Sequence, residues 1–353
     1  MRDNEVSESQ AFGILVSNHG DHNSLSDVTI EGNTVFGNRE GISVRNGWQN
    51  PFDPTDDGAS NNRLDVLITH NTITSNTTPG AYRGGILIWG GFNFFSPPSV
   101  STNNYLTAQV RNNRVENNVG PGILTFGGYG GATDNRSDIT IKDNLITGNQ
   151  NPNDTAGIAI VGGFASSSNQ VAANLLSNTI TNNNGSGISV GSGLDNSSNN
   201  DVAVTVRDNT LENNAGPGMF TYSGFGALFF PDGNSSNNIL DARITRNTVK
   251  NAFLFGISVF GGVGSFDGAP IKVANINEVS AIVTDNTVTG TVGEGLLLSA
   301  GGSGVANTNS VEATVKKNTD CDSAATDIYA IGGFLGIPFL LPPNQGTGNT
   351  VEG

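Results

Sequence analysis

The sequence predicts an all-β fold, a right-handed parallel β-helix of about ten rungs with three short strands in each, and three observations predict it. An asparagine recurs along the whole chain, at Asn4, Asn33, Asn71, Asn113, Asn144, Asn178, Asn209, Asn247, Asn286 and Asn318, every 29 to 42 residues. Apolar residues alternate with polar ones around it, the period-two signature of a strand. Glycine accounts for 48 of the 353 residues and charged residues for only 13%, with no heptad and no long 3.6-residue stripe that would call for helix.

Each element follows from the recurring asparagine. The first strand of a unit ends just before it, with apolar pairs five and three positions upstream: Val28/Ile30, Val66/Ile68, Ile139/Ile141 and Val204/Val206. A second strand is centred two residues after it, at Val35, Ile73, Val115, Ile146, Ile180, Leu211, Val249 and Val288. The third opens at a glycine about nine residues on and reads Gly-Ile-Ser-Val from Gly41, Gly187 and Gly256. Three short strands per unit fit a solenoid in which each strand pairs with its equivalent one rung away, at ~4.8 Å per rung and roughly 48 Å for the rod. The bends between strands need left-handed backbone, which asparagine tolerates and glycine takes freely, and amides stacked one rung apart form a ladder. A second row, Asn38, Asn76, Asn118, Asn149, Asn183 and Asn214, repeats the device at the next bend.

These units cover essentially the whole chain, and on them it resembles the pectin-lyase-like superfamily of parallel β-helix proteins. The resemblance implies one β-helix domain over 1–353 and an exported, secreted or surface-associated protein. It implies no single activity, because lyases, hydrolases, epimerases and non-catalytic surface proteins share the architecture. "RDNEV" at the start already occupies a bend, so the piece is expected to come from a longer chain. "GGFLGIPFLLPPNQG" (332–346) departs from the repeat and, within a C-terminal cap or tail over 332–353, is expected to cover the last rung.

Charge and cysteine content narrow the partners. A formal net charge of −15 argues against nucleic acid, whose phosphates call for clustered Lys and Arg. Cys321 is the one cysteine, so neither an intramolecular disulfide nor a Cys-based zinc site can form. No segment reaches the ~18 apolar residues of a membrane span.

Length variation concentrates after the third strand, at 46–63, 90–105, 223–238 and 261–279, where a repeat protein places its functional loops. Alternation then points Trp89, Phe126, Tyr222 and Phe260 outward in a column beside those loops. They form either a stacking platform for sugar rings or a satellite core closed over by loop aromatics. On the first strand, Arg111, Lys142, Arg207 and Lys316 form an outward cationic stripe, interrupted at Leu176, Thr245 and Thr284. Such a stripe would meet the repeating carboxylates or sulfates of an acidic polysaccharide, or it is a solvated face.

No complete catalytic motif accompanies these features. "NTD" at 318–320 is similar to the first carboxylate motif of polygalacturonases, but the paired Asp-Asp, Gly-His-Gly and Arg-Ile-Lys motifs do not follow. His19, Asp21 and His22 gather in "SNHGDHNS" without an evident third metal ligand. Asp53, Asp56 and Asp57 in "DPTDDG" are hard oxygen donors of the kind that hold calcium, the one cofactor the sequence suggests, although the segment does not fit an EF-hand. Two functions therefore stand side by side: a β-helix that binds an extracellular polysaccharide or serves as a rigid rod, and a lyase or hydrolase acting on an acidic polysaccharide.

Overall fold

The computed structural model describes residues 1–48, 59–77, 84–93, 101–150, 156–226, 233–264, 273–301, 305–325, 328–331 and 350–352. The calcium candidates Asp53, Asp56 and Asp57 and the expected covering segment 332–346 lie outside them. The described strands form three parallel sheets of ten strands each and a smaller sheet of four. The first sheet holds Arg136–Lys142, Gln170–Leu176 and Asp201–Arg207; the second holds Leu145–Thr147 and Thr179–Thr181; the third holds Ile158–Phe164 and Ile188–Leu194. The chain visits the three in that order and returns one rung further on, as a right-handed parallel β-helix does. Short strands of the fourth sheet, Ser197–Ser198, Asn234–Ser236, Val273–Asn275 and Val305–Asn307, line the corner between the third sheet and the first.

Register is kept because a one-residue slip would turn a strand's apolar set out to water. Ile139, Ala173, Val204, Ala242 and Ala281 fall in one column of the first sheet, and Ile146, Ile180, Leu211, Val249 and Val288 in one column of the second. These inward residues make one continuous core along the axis.

Three asparagine ladders, not two, close the corners. The expected first ladder runs unbroken from Asn4 to Asn318; in its middle, Asn144 donates its backbone N–H and its amide to Asn178 Oδ1 at 3.1 and 3.0 Å. The second runs to Asn214, after which Thr291 and Ser323 continue the corner with a hydroxyl pair at 2.7 Å. The third links Asn62, Asn104, Asn135, Asn169, Asn200, Asn238, Asn277 and Asn309 before the first strand. The left-handed residue at these bends is the one preceding the ladder asparagine, such as Asp143, Ser177 and Asp208, rather than the asparagine itself. That corrects the sequence expectation: the bend is made one residue earlier, and the buried asparagine is left free to aim its amide along the rod.

At the left-handed position before the third ladder stand Asn61, Asn103, Asp134, Ser168, Asn199 and Asn237, then Ile276 with φ 52°. A β-branched residue is strained there, and this one is 53% exposed, so little packing compensates. Ile276→Asn is expected to stabilise the protein by about 1 kcal/mol, read as a rise in the urea midpoint. An unchanged or lower midpoint would show that Ile276 carries a contact worth more than its strain.

Candidate functional site

Two surfaces were expected to carry function, and their fates differ. Trp89, Phe126, Tyr222 and Phe260 do lie on the outer face of the third sheet, in register along one column. They are nevertheless only 2–5% exposed and belong to a second hydrophobic cluster with Leu87, Phe164 and Phe225. Trp89 stacks on Phe126 with centroids 4.8 Å apart, and Tyr129 stacks on Phe164 at 4.9 Å. Burial pushes the Tyr129 hydroxyl up to about 12, and burial first, then the Asp195 charge, pushes Tyr222 higher still. The platform expectation for Trp89, Phe126, Tyr222 and Phe260 therefore gives way to the satellite core: no ring face is left for a sugar.

The cationic residues are exposed on the outer face of the first sheet. Arg111 and Lys142 are register partners on adjacent strands; Arg207 follows beyond Leu176. Lys142 lies 3.5 Å from Asp143 and Arg207 3.2 Å from Asp208. Arg246 meets both oxygens of Asp208 at 2.8 and 2.9 Å. That hydrogen-bonded pairing, helped by the charges of Arg246 and Arg207, holds the Asp208 carboxyl below its ordinary range.

Four residues N-terminal to the column of cations, the same face carries acids that sequence reasoning missed. Asp65, Thr107, Asp138, Ala172, Ala203, Asp241, Ser280 and Glu312 form one register column. Asp138 is fixed by the Tyr105 hydroxyl, which donates to it at 2.5 Å, and Arg136 stands 3.6 Å away. Tyr105 itself is held between the guanidinium groups of Arg63 and Arg136, at 5.0 and 5.7 Å. Asp201, at the start of its strand, has a carboxyl raised above its ordinary value by burial first and by the nearby Asp241 charge second.

Between the acids and the cations the face is hollow. Adjacent alanines, Ala172 and Ala203, replace the aspartates of the column, and a depression of about 390 Å³ opens over them, bounded by Asn174, Thr205, Asp241, Arg243 and Ile282. A second of about 390 Å³ adjoins it through Asn174, Thr205 and Arg243 and reaches Arg207, Arg246 and Asp285. A third of about 160 Å³ shares the alanines and extends to Arg136, Asp138 and Asp201. The Arg243 guanidinium, common to the two larger hollows, has no hydrogen bond or ion pair among the described residues.

The remaining candidates do not assemble into a site. Asp320 stands in register with the inward Val288 and accepts a hydrogen bond from Ser323 at 2.6 Å, so it faces the end of the core rather than any outer groove. His19 packs against Trp48 at 4.4 Å and pairs with the Ser17 hydroxyl at 2.6 Å, while Asp21 accepts the Ser60 N–H. No group of three His, Cys, Asp or Glu side chains converges as a metal would require among the described residues. No helix among them is long and apolar enough to cross a membrane.

No family model matches the sequence, and no curated protein does. Among solved structures the chain is similar to a crystal structure of a mutant of the periplasmic alginate epimerase AlgG, at 12% identity over 90% of this chain and 76% of that one, with a TM-score of 0.31. So distant a likeness carries no argument about chemistry. What the chain shares with the pectin-lyase-like proteins is architecture, a right-handed parallel β-helix.

Proposed function

We propose that this protein is a secreted or surface-associated β-helix that binds an extracellular polysaccharide along the outer face of its first sheet. The observation that carries the reading is the run of three adjoining hollows over five strands, from Arg136–Lys142 to Glu278–Thr284, on the order of 19 Å along the rod at ~4.8 Å per rung. Small-molecule pockets are enclosed and mostly apolar. This surface is open and shallow, and Asn174, Thr205, Asp241 and Arg243 set donors and acceptors along it beside the alanines, which suits a hydrated chain. Arg207, Arg243 and Arg246 at one side, continued by Lys142 and Arg111, suit a polymer carrying carboxylates or sulfates. The ladders support the rigid-rod role, since two corners are pinned by amides along the rod and the remaining one by amides as far as Asn214.

A specific observation favours an enzymatic second reading. Asp201 and Asp241 line adjoining depressions that share Ala172 and Ala203, and the Asp201 carboxyl is raised by burial and by the Asp241 charge; a raised carboxylic acid beside a second carboxyl is the kind of pair a hydrolase uses. The insertion loops carry further carboxylates that an enzyme could use, Asp53, Asp56, Asp57, Asp232 and Asp267, all of which lie outside the described residues.

One experiment tests both. Polymers of neutral, uronic and sulfated sugars are run through native affinity gels with the wild type, Ala203→Trp and Asp201→Asn, and their molar masses are followed by light scattering. Ala203 is exposed, so a tryptophan there fills the hollow without entering the core. Ala203→Trp is expected to lose retardation at least tenfold. Polymer shortening that disappears in Asp201→Asn would establish the hydrolase; retardation unaffected by Ala203→Trp would remove the polysaccharide from this face.

A further inference from the structure

The hollow over Ala172 and Ala203 has a composition that a simple sugar ring does not explain. Its floor is two methyl groups, and one wall is Ile282, 40% exposed to water. On the strand between floor and wall stand Asp241 and Arg243, two residues apart and both outward. A carboxylate only accepts hydrogen bonds and a guanidinium only donates them. Their backbones are ~6.6 Å apart along the strand.

Candidate ligand groups use these features unequally. Plain hydroxyls are served by acceptor and donor alike and gain nothing from an exposed isoleucine beside alanine methyls. A carboxylate would pair with Arg243 but would be repelled by Asp241 two residues away. An ammonium would pair with Asp241 but not with Arg243. A secondary amide bearing a methyl group uses all of them. Its planar trans geometry points N–H and C=O in opposite directions, toward an acceptor on one side and a donor on the other. Its methyl, placed on Ala203 and Ile282, removes apolar surface from water.

We propose that this hollow is a subsite for a sugar carrying an acetamido group, with Asp241 accepting the amide N–H, Arg243 donating to the carbonyl, and the methyl seated between Ala203 and Ile282. The proposal rests on the polysaccharide reading above and adds the substituent that would be read. It leaves the cationic hollow around Arg207 and Arg246 for an acidic neighbour on the same chain.

The test uses tetramers that share one β-1,4 backbone and differ at a single carbon: cellotetraose with hydroxyl, the chitosan tetramer with ammonium, and chitotetraose with acetamido. Calorimetry gives their affinities, and saturation-transfer NMR on N-acetylglucosamine and N-acetylgalactosamine reports which protons touch the protein. The expected result is at least tenfold tighter binding of the acetylated tetramer and strongest saturation at the acetyl methyl. Asp241→Asn and Ile282→Ser should each remove most of that preference, bringing the affinity of the acetylated tetramer down towards that of cellotetraose measured with the same variant. Equal affinities across the three tetramers, abolished in Ala203→Trp, would overturn the acetamido subsite while leaving the glycan-binding face intact. Preference for the ammonium tetramer would likewise overturn it. Absence of binding by these sugars, together with unretarded polymers in the affinity gels, would overturn both readings.

Discussion

Asn178→Ala is expected to destabilise the protein by about 4 kcal/mol, the sum of two or so buried polar groups left without partners at ~1–3 kcal/mol each plus a small void. Asn178 is 1% exposed in the middle of the first ladder. Its Oδ1 accepts both the backbone N–H and the amide of Asn144, and its own amide donates to Asn209 Oδ1 at 3.0 Å and to the Ile141 carbonyl at 2.9 Å. Alanine strands the Asn144 N–H and the Ile141 carbonyl where water cannot reach them. Asn178→Asp isolates the cause, being nearly the same size. It keeps the acceptor facing Asn144 but turns a second acceptor toward Asn209 Oδ1 and the Ile141 carbonyl, and it buries a charge. It should therefore be no better than alanine. Thr179→Ala, one residue on and exposed, should lie within ~0.5 kcal/mol of wild type. Urea midpoints for the three variants decide the matter, and an Asn178→Ala shift as small as that of Thr179→Ala would mean that the ladder fixes geometry without contributing to stability.

The parts of this molecule that the sequence made legible are those written in a fixed distance from a repeated residue. The first two ladders stand at constant offsets from the apolar alternation, so the strands and corners could be placed by counting. The third ladder stands after insertions of unequal length, where Asn62, Asn104 and Asn200 are second members of Asn-Asn pairs among many other asparagines. Its signal was the asparagine immediately before each first strand, as in "NNR", "NNY" and "SNQ", and it was missed. Outward direction was legible for Trp89 and Phe126, but exposure was not, because alternation says which way a side chain leaves the sheet and nothing about what packs over it. The candidate site was half legible for a related reason. Arg111, Lys142 and Arg207 announce themselves by charge, whereas the hollow is made by what Ala172 and Ala203 lack, and it emerges only when register sets those alanines between Asp138 and Asp241.

Gly163→Ala should be nearly as damaging, about 3 kcal/mol, and its cause can be isolated more sharply. The recurring Gly-Gly at the end of the third strand is a packing requirement of the third ladder. A Cβ on Gly163 would lie 2.5 Å from the Asn200 amide nitrogen and 2.6 Å from its Cγ and Oδ1, and Gly128 and Gly224 meet Asn169 and Asn277 in the same way. Gly163 is not left-handed, so alanine there carries no backbone penalty and would by itself gain ~0.5 kcal/mol from a less flexible unfolded chain. The whole cost must then come from the clash with Asn200, which is fully buried and cannot move aside without releasing Asn169 and Asn238. It follows that the substitution should lose its effect when Asn200 is already alanine. In a double-mutant cycle the Asn200→Ala background should reduce the cost of Gly163→Ala to ~1 kcal/mol or less, a coupling of about 2 kcal/mol. Additive effects would mean that the glycine serves the backbone rather than the ladder, and would sever the link between the Gly-Gly repeat and the third row of asparagines.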